Sequence, residues 1–164
     1  MDWYPWLVLT HVVGAFAFVL SHGVSMFVSF RLRAEQDRGR IEALLQVSSG
    51  SLVLLYASLL VLLAGGISAG FVGAWWDELW IWVSIGILVV VLVVMWAVAS
   101  PYYMGLRKGL GHDGREPKPG DAPPTLLSDQ ELLARLRSSR PFWLAAVGGI
   151  GLVAIIWLMV VKPF

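Results

Sequence analysis

Four long apolar stretches, set apart by short polar segments, dominate the chain. Trp6 to Phe30 is closed by Arg31 and Arg33, and Val47 to Gly70 lies inside a run from Ala43 to Trp76 with no charged residue. Leu79 to Met104 is ended by Arg107 and Lys108, and Pro141 to Val161 is followed by Lys162. A helix that crosses a bilayer takes roughly 17–25 apolar residues. The pattern therefore predicts spans at about 6–30, 47–70, 79–104 and 141–161, in one domain covering 1–164. Pro141 suits the first position of its helix, where its missing N–H costs nothing.

The links between the spans alternate in charge. Arg31, Arg33, Arg38 and Arg40 lie between the first two, and Arg107, Lys108, Arg115, Lys118, Arg135, Arg137 and Arg140 between the last two. The middle link, around Trp75-Trp76-Asp77-Glu78, and the segment before Trp6 carry no Lys or Arg. By the positive-inside rule the basic links are cytoplasmic and both chain ends extracytoplasmic. The expected fold is all-α: an antiparallel four-helix transmembrane bundle. The opening Met1-Asp2-Trp3-Tyr4-Pro5 is acidic, and the apolar run behind it is too long for a cleaved signal, so it reads as the first span.

The 105–140 connection divides in two. Gly109 to Pro124 is rich in Gly, Pro and charge without a hydrophobic period and reads as flexible linker. Ser128-Asp129-Gln130-Glu131 is a capping box, with Leu127 and Leu132 placed as a hydrophobic staple. A short amphipathic helix from about Asp129 to Ser139 should follow. Its Leu132, Leu133 and Leu136 would lie on the inner membrane surface or against the bundle.

Composition agrees. Of 164 residues, 58% are hydrophobic and 14% charged, with mean hydropathy +0.75, against about 45–50% and about 25% in soluble domains. That excludes a soluble enzyme, a disordered segment and, with net charge +1, a basic nucleic-acid-binding protein. The absence of cysteine removes disulfides, iron–sulfur ligation and thiolate zinc sites. Trp3, Trp6, Trp75, Trp76, Trp80, Trp82 and Trp157 fall at the outer ends of spans, Trp143 at an inner end and Trp96 deep in the third. This one-sided belt anchors the chain among lipid headgroups, or the segment Trp75 to Trp82 docks an extracytoplasmic partner or a flat cofactor.

Chemistry within the spans is confined to two imidazoles. None of the spans holds Asp, Glu, Lys or Arg, against an ion-coupled transporter or proton pump. No P-loop, nucleophile elbow, HExxH or dinucleotide fingerprint is present. His112 belongs to the solvated loop. His11 and His22 are eleven residues apart, three turns plus about 20°, so they share a face about 16 Å apart along the axis. Gly14, Ala15, Phe18, Ser25 and Ser29 lie on that face, a small and polar stripe that should turn toward the other helices.

Three readings of the histidines stand open. They are hydrogen-bonded across helices to backbone, to Tyr56 or to Ser48, Ser49, Ser51, Ser58, Ser68 or Ser84. Alternatively they ligate haem b, with Phe18 packing against the macrocycle. One iron holds two ligand nitrogens about 4 Å apart, so each histidine would need another axial partner, an open site or a symmetry mate in a dimer; Met95 lies at a depth similar to His22. Copper is the third reading, from His22 and Met26 one turn apart. The corresponding functions are haem-associated electron transfer or porphyrin handling, copper handling, and a non-catalytic accessory subunit of a respiratory, photosynthetic or transport complex. Partners are membrane lipids and other membrane chains or a second copy. Gly65-Gly66 with Gly70, and Gly148-Gly149-Ile150-Gly151, permit close helix contact. Pro101 should kink the third span near its inner end.

The first helix, Trp6-Leu7-Val8-Leu9-Thr10-His11-Val12-Val13-Gly14-Ala15 running on to Arg31-Leu32-Arg33, resembles the opening of small four-helix bacterial membrane families. One is an integral membrane family of unassigned function; the others are copper-resistance-D-like domains and HemJ-type protoporphyrinogen oxidases. They share a first-helix histidine in a His-x-x-Gly-Ala pattern. The resemblance covers about twenty-five residues and the span count. It implies a bacterial cytoplasmic membrane location and a haem or metal role for His11. The basic residues near the haem of the HemJ-type oxidases have no counterpart in these spans.

Overall fold

The computed structural model describes residues 2–112 and 126–164, and every regular element among them is helical. The helices are α1 (Tyr4–Ala34), α2 (Arg38–Val72), α3 (Leu79–Gly109), α4 (Asp129–Leu136) and α5 (Arg140–Val161). Four stretches, those of α1, α2 and α3 and the one from Asp129 to Val161, are long and apolar enough to cross a membrane. The chain is an integral membrane helical bundle. Each long helix except α5 overruns its predicted span, because the apolar core of a bilayer sets the span while the helix continues through polar residues.

Local chemistry fixes the ends. Pro5 occupies the first turn of α1, and Arg31 and Arg33 the last, where cations oppose the negative end of the helix dipole. The link to α2 shrinks to Glu35–Asp37. There Glu35 Oε1 accepts from the Gln36 and Asp37 N–H groups, which holds its carboxyl below the usual range. Asp37 then caps α2 by accepting from Arg40 N–H at 2.8 Å. Ala74 takes φ 54° in the α2–α3 turn. The helix α3 continues through Pro101. The capping box at Ser128 is formed as the sequence predicts, and α4 ends at Leu136, three residues short of Ser139. Of the linker reading for Gly109 to Pro124, residues 113–124 lie outside the described residues, and Gly109 closes α3.

The helices associate mainly as two pairs, α1 with α2 and α3 with α5. Small residues allow this. A Cβ built on Gly14 would fall 2.5 Å from the Leu62 nitrogen, one on Gly65 2.6 Å from the His11 nitrogen. A Cβ on Gly151 would overlap the Val91 side chain. Backbones thus approach as small-residue interfaces require in lipid.

Two apolar cores close the ends of the bundle. One gathers Val28 and Leu32 of α1, Ile41 and Leu45 of α2, Tyr102 and Leu106 of α3, and Leu132 and Leu136 of α4. The amphipathic helix is therefore a plug packed against the bundle. Arg38 ties it down, donating to the Leu127 and Gly109 carbonyls and pairing with Asp129 at 3.1 Å. Arg33 donates to the Ser138 carbonyl at 2.8 Å and lies over the Phe142 ring. The other core joins Trp80, Ile81 and Leu158.

Candidate functional site

Between the two cores the interior turns polar, and there the two histidines part company. His11 faces α2. Its Nδ1 lies 2.8 Å from the Leu62 carbonyl, an acceptor only, so Nδ1 carries the proton and donates. The ring reaches the α2 backbone because Gly66 has no side chain, and a Cβ there would come within 2.6 Å of Nδ1. Nε2 of the neutral ring keeps its lone pair, the tautomer that a backbone partner also fixes in metal-bound imidazoles.

His22 faces the other pair. Its Nε2 is buried and has no hydrogen-bond partner. A Cβ on Gly148 of α5 would sit 2.6 Å from that nitrogen and 2.8 Å from the Met95 methyl of α3. Imidazole and thioether thus converge on one glycine, in the seam where α1 meets the α3–α5 pair. Phe18, 5% exposed, lies one turn away with its ring 9° from the His22 plane and the centroids 6.5 Å apart. Met26, one turn beyond His22, is 38% exposed.

The face that carries both histidines is therefore shared between partners. His11 and Gly14 meet α2; Ser25 bonds Ser51 of α2 at 2.8 Å, and Ser29 bonds Tyr103 of α3. Ser49, Ser58 and Ser84 donate to carbonyls of their own helices, and Tyr56 is exposed. Sequence reasoning missed the Leu62 carbonyl and Gly148, since backbone partners leave no side-chain signature. The paired glycines at 65–66 and the Gly148 run were the available signals. Among the described residues no three His, Cys, Asp or Glu side chains gather as a metal-binding group.

An aromatic cluster covers the end formed by the α2–α3 turn. Trp75 Nε1 donates to the Tyr4 hydroxyl at 3.0 Å and Trp82 Nε1 to the Trp76 carbonyl at 2.9 Å. Trp76 packs over Gly70 and against Phe71 and Trp82. Trp96, in the middle of α3, is 72% exposed and points away from the bundle. No family model, curated protein or solved structure matches the chain.

Proposed function

We propose that the chain is a haem-associated membrane protein whose cofactor is held in the seam between the two helix pairs by His22. The observation that carries this reading is the His22 Nε2, buried and unpaired. An unsatisfied buried polar atom costs about 1–3 kcal/mol, a cost that a ligand on this nitrogen would relieve. Phe18 offers a ring parallel to His22, and Gly148 lets the His22 nitrogen and the Met95 methyl close on the α5 backbone; a haem on this nitrogen would displace that contact and open the seam. Haem iron bound there would carry single electrons. His22 would hold it as a neutral imidazole, since no carboxylate or ammonium within the spans competes for the nitrogen. His11 serves mainly to clamp α1 to α2.

The reading places the protein in a bacterial cytoplasmic membrane with the arginine-rich end inside, consistent with the first-helix resemblance to four-helix bacterial families. Contacts of His11 with Leu62 and of Ser25 with Ser51 support antiparallel helices. A dithionite-reduced minus oxidised spectrum of protein expressed with ample haem tests it. A b-type band that survives His11→Ala and disappears in His22→Ala is the expected result; a flat spectrum from folded protein overturns the proposal.

One observation favours a second reading, an accessory subunit. A shallow groove of about 610 Å³ runs between α3 and α5, lined by Val83, Gly86, Val90, Ala146 and Ile150. Its small residues would admit a helix of another membrane chain. Stoichiometric co-purification of such a chain with a flat spectrum would select this reading.

A further inference from the structure

A lysine lies on two tryptophans at the end of the bundle opposite the arginines. Lys162 Nζ is 4.2 Å from the Trp75 ring centroid and 5.4 Å from that of Trp80. The two indoles are 6.2 Å apart and inclined by 59°, so they form two walls of an open corner with a cation in it. We propose that Trp75 and Trp80 form an aromatic cage for a quaternary ammonium group, with Lys162 its displaceable internal occupant.

The walls are fixed and the occupant is not. Trp80 is 6% exposed and packed with Ile81 and Leu158. Trp75 is held by its bond to Tyr4 and by Gly73, whose missing Cβ would overlap the indole. Lys162 is exposed, just past the last turn of α5, at φ 46°, a left-handed conformation that L-residues adopt at a cost. A Lys ammonium is compact and strongly hydrated, so two apolar faces give it less than they give a methylated cation, whose recognition by aromatic cages is well established. Asp77 and Glu78 lie in the chain between the two indoles, which favours a cation at this end. The ligand class is a quaternary ammonium, either the headgroup of a choline lipid or a free solute such as choline.

The test uses the full chain in a maltoside detergent, which contains no ammonium group. Tetramethylammonium chloride is titrated against sodium chloride at matched ionic strength, with tryptophan fluorescence as readout. A saturable change is expected in the native chain, tightened roughly two- to fivefold in Lys162→Gln and lost in Trp75→Leu. Lys162→Gln alters an exposed side chain outside the helix, so it keeps the measurement valid even if Trp75→Leu misfolds. Titration of choline into bilayers of phosphatidylcholine or phosphatidylglycerol separates the sources. Competition by phosphatidylcholine alone assigns a lipid headgroup, and equal choline binding in both assigns a free solute. A response in Lys162→Gln no different from sodium chloride overturns the proposal. The cage lies apart from His22, and repeating the titration in His22→Ala keeps its outcome separate from the haem reading.

Discussion

Gly65→Ala probes one of the two closest backbone approaches of α1 to α2. Its Cβ would fall 2.6 Å from the His11 nitrogen, 3.0 Å from the His11 Cα and 3.1 Å from the Thr10 carbonyl carbon. All three are backbone atoms, so no rotamer change relieves the overlap and α1 must move off α2. A gap of about 0.5–1 Å forfeits a quarter to a half of each dispersion contact across the pair. It also stretches the His11–Leu62 bond, itself worth about 0.5–1.5 kcal/mol. Overpacking of this kind costs about 1–3 kcal/mol, partly offset by the better helix propensity of alanine. Gly66→Ala meets only the His11 ring, which can rotate away, and should cost about the hydrogen bond alone. Gly23→Ala and Gly50→Ala, with nothing within 4 Å, should be neutral or slightly stabilising. Reversible unfolding in mixed micelles, followed by circular dichroism, should rank the variants Gly65, then Gly66, then Gly23 and Gly50. Equal midpoints for Gly65→Ala and Gly23→Ala would refute the close packing of α1 on α2.

Leu136→Ala removes a side chain 1% exposed in the core beneath α4 and should cost about 2–5 kcal/mol, measured by the same unfolding. Ser128→Ala removes the cap of α4 and should open that helix by about 0.5–2 kcal/mol, read as faster amide exchange over Asp129–Leu136. Glu131 is held below the usual glutamate range by hydrogen bonds from the Ser128 hydroxyl and then its N–H. A depressed folded value adds stability above the unfolded value, about pH 4.3, and loses it as pH falls through the folded one. Exchange protection of α4 should therefore decline on acidification below that range, and less so in Glu131→Gln.

How far the sequence reached is clearest at particular residues. Charge-free runs located every long helix, and the capping box located α4 at its first residue, because helix ends are set by local chemistry. Helix lengths were less legible, since Arg38 to Leu45 continues α2 outside the apolar run. The histidine pair was legible as an inward feature of one helix. Its division, with His11 on the α2 backbone and His22 on α5, was not, because neighbour identity depends on how helices pair and glycine contacts carry no polar signal. The Lys162 corner was equally hidden. Lys162 stands 82 positions after Trp80 in the chain, and only the meeting of α3 with α5 brings that chain end to the tryptophans.

The pairing of helices also bears on how the chain is made. The α1–α2 pair is complete once Val72 has left the ribosome, and its tightest contacts need nothing that follows. By contrast, α3 emerges long before its partner α5, with residues 110–139 still to be synthesised between them. Through that interval the Gly148 and Gly151 contacts do not exist, and the nascent α3 has only the finished α1–α2 pair and lipid beside it. Weakening the first pair therefore harms the later one twice, once in the finished bundle and once as the surface against which α3 waits. Translation pauses within 110–139 would lengthen that wait, so the yield of folded protein should depend on the codons of this connection.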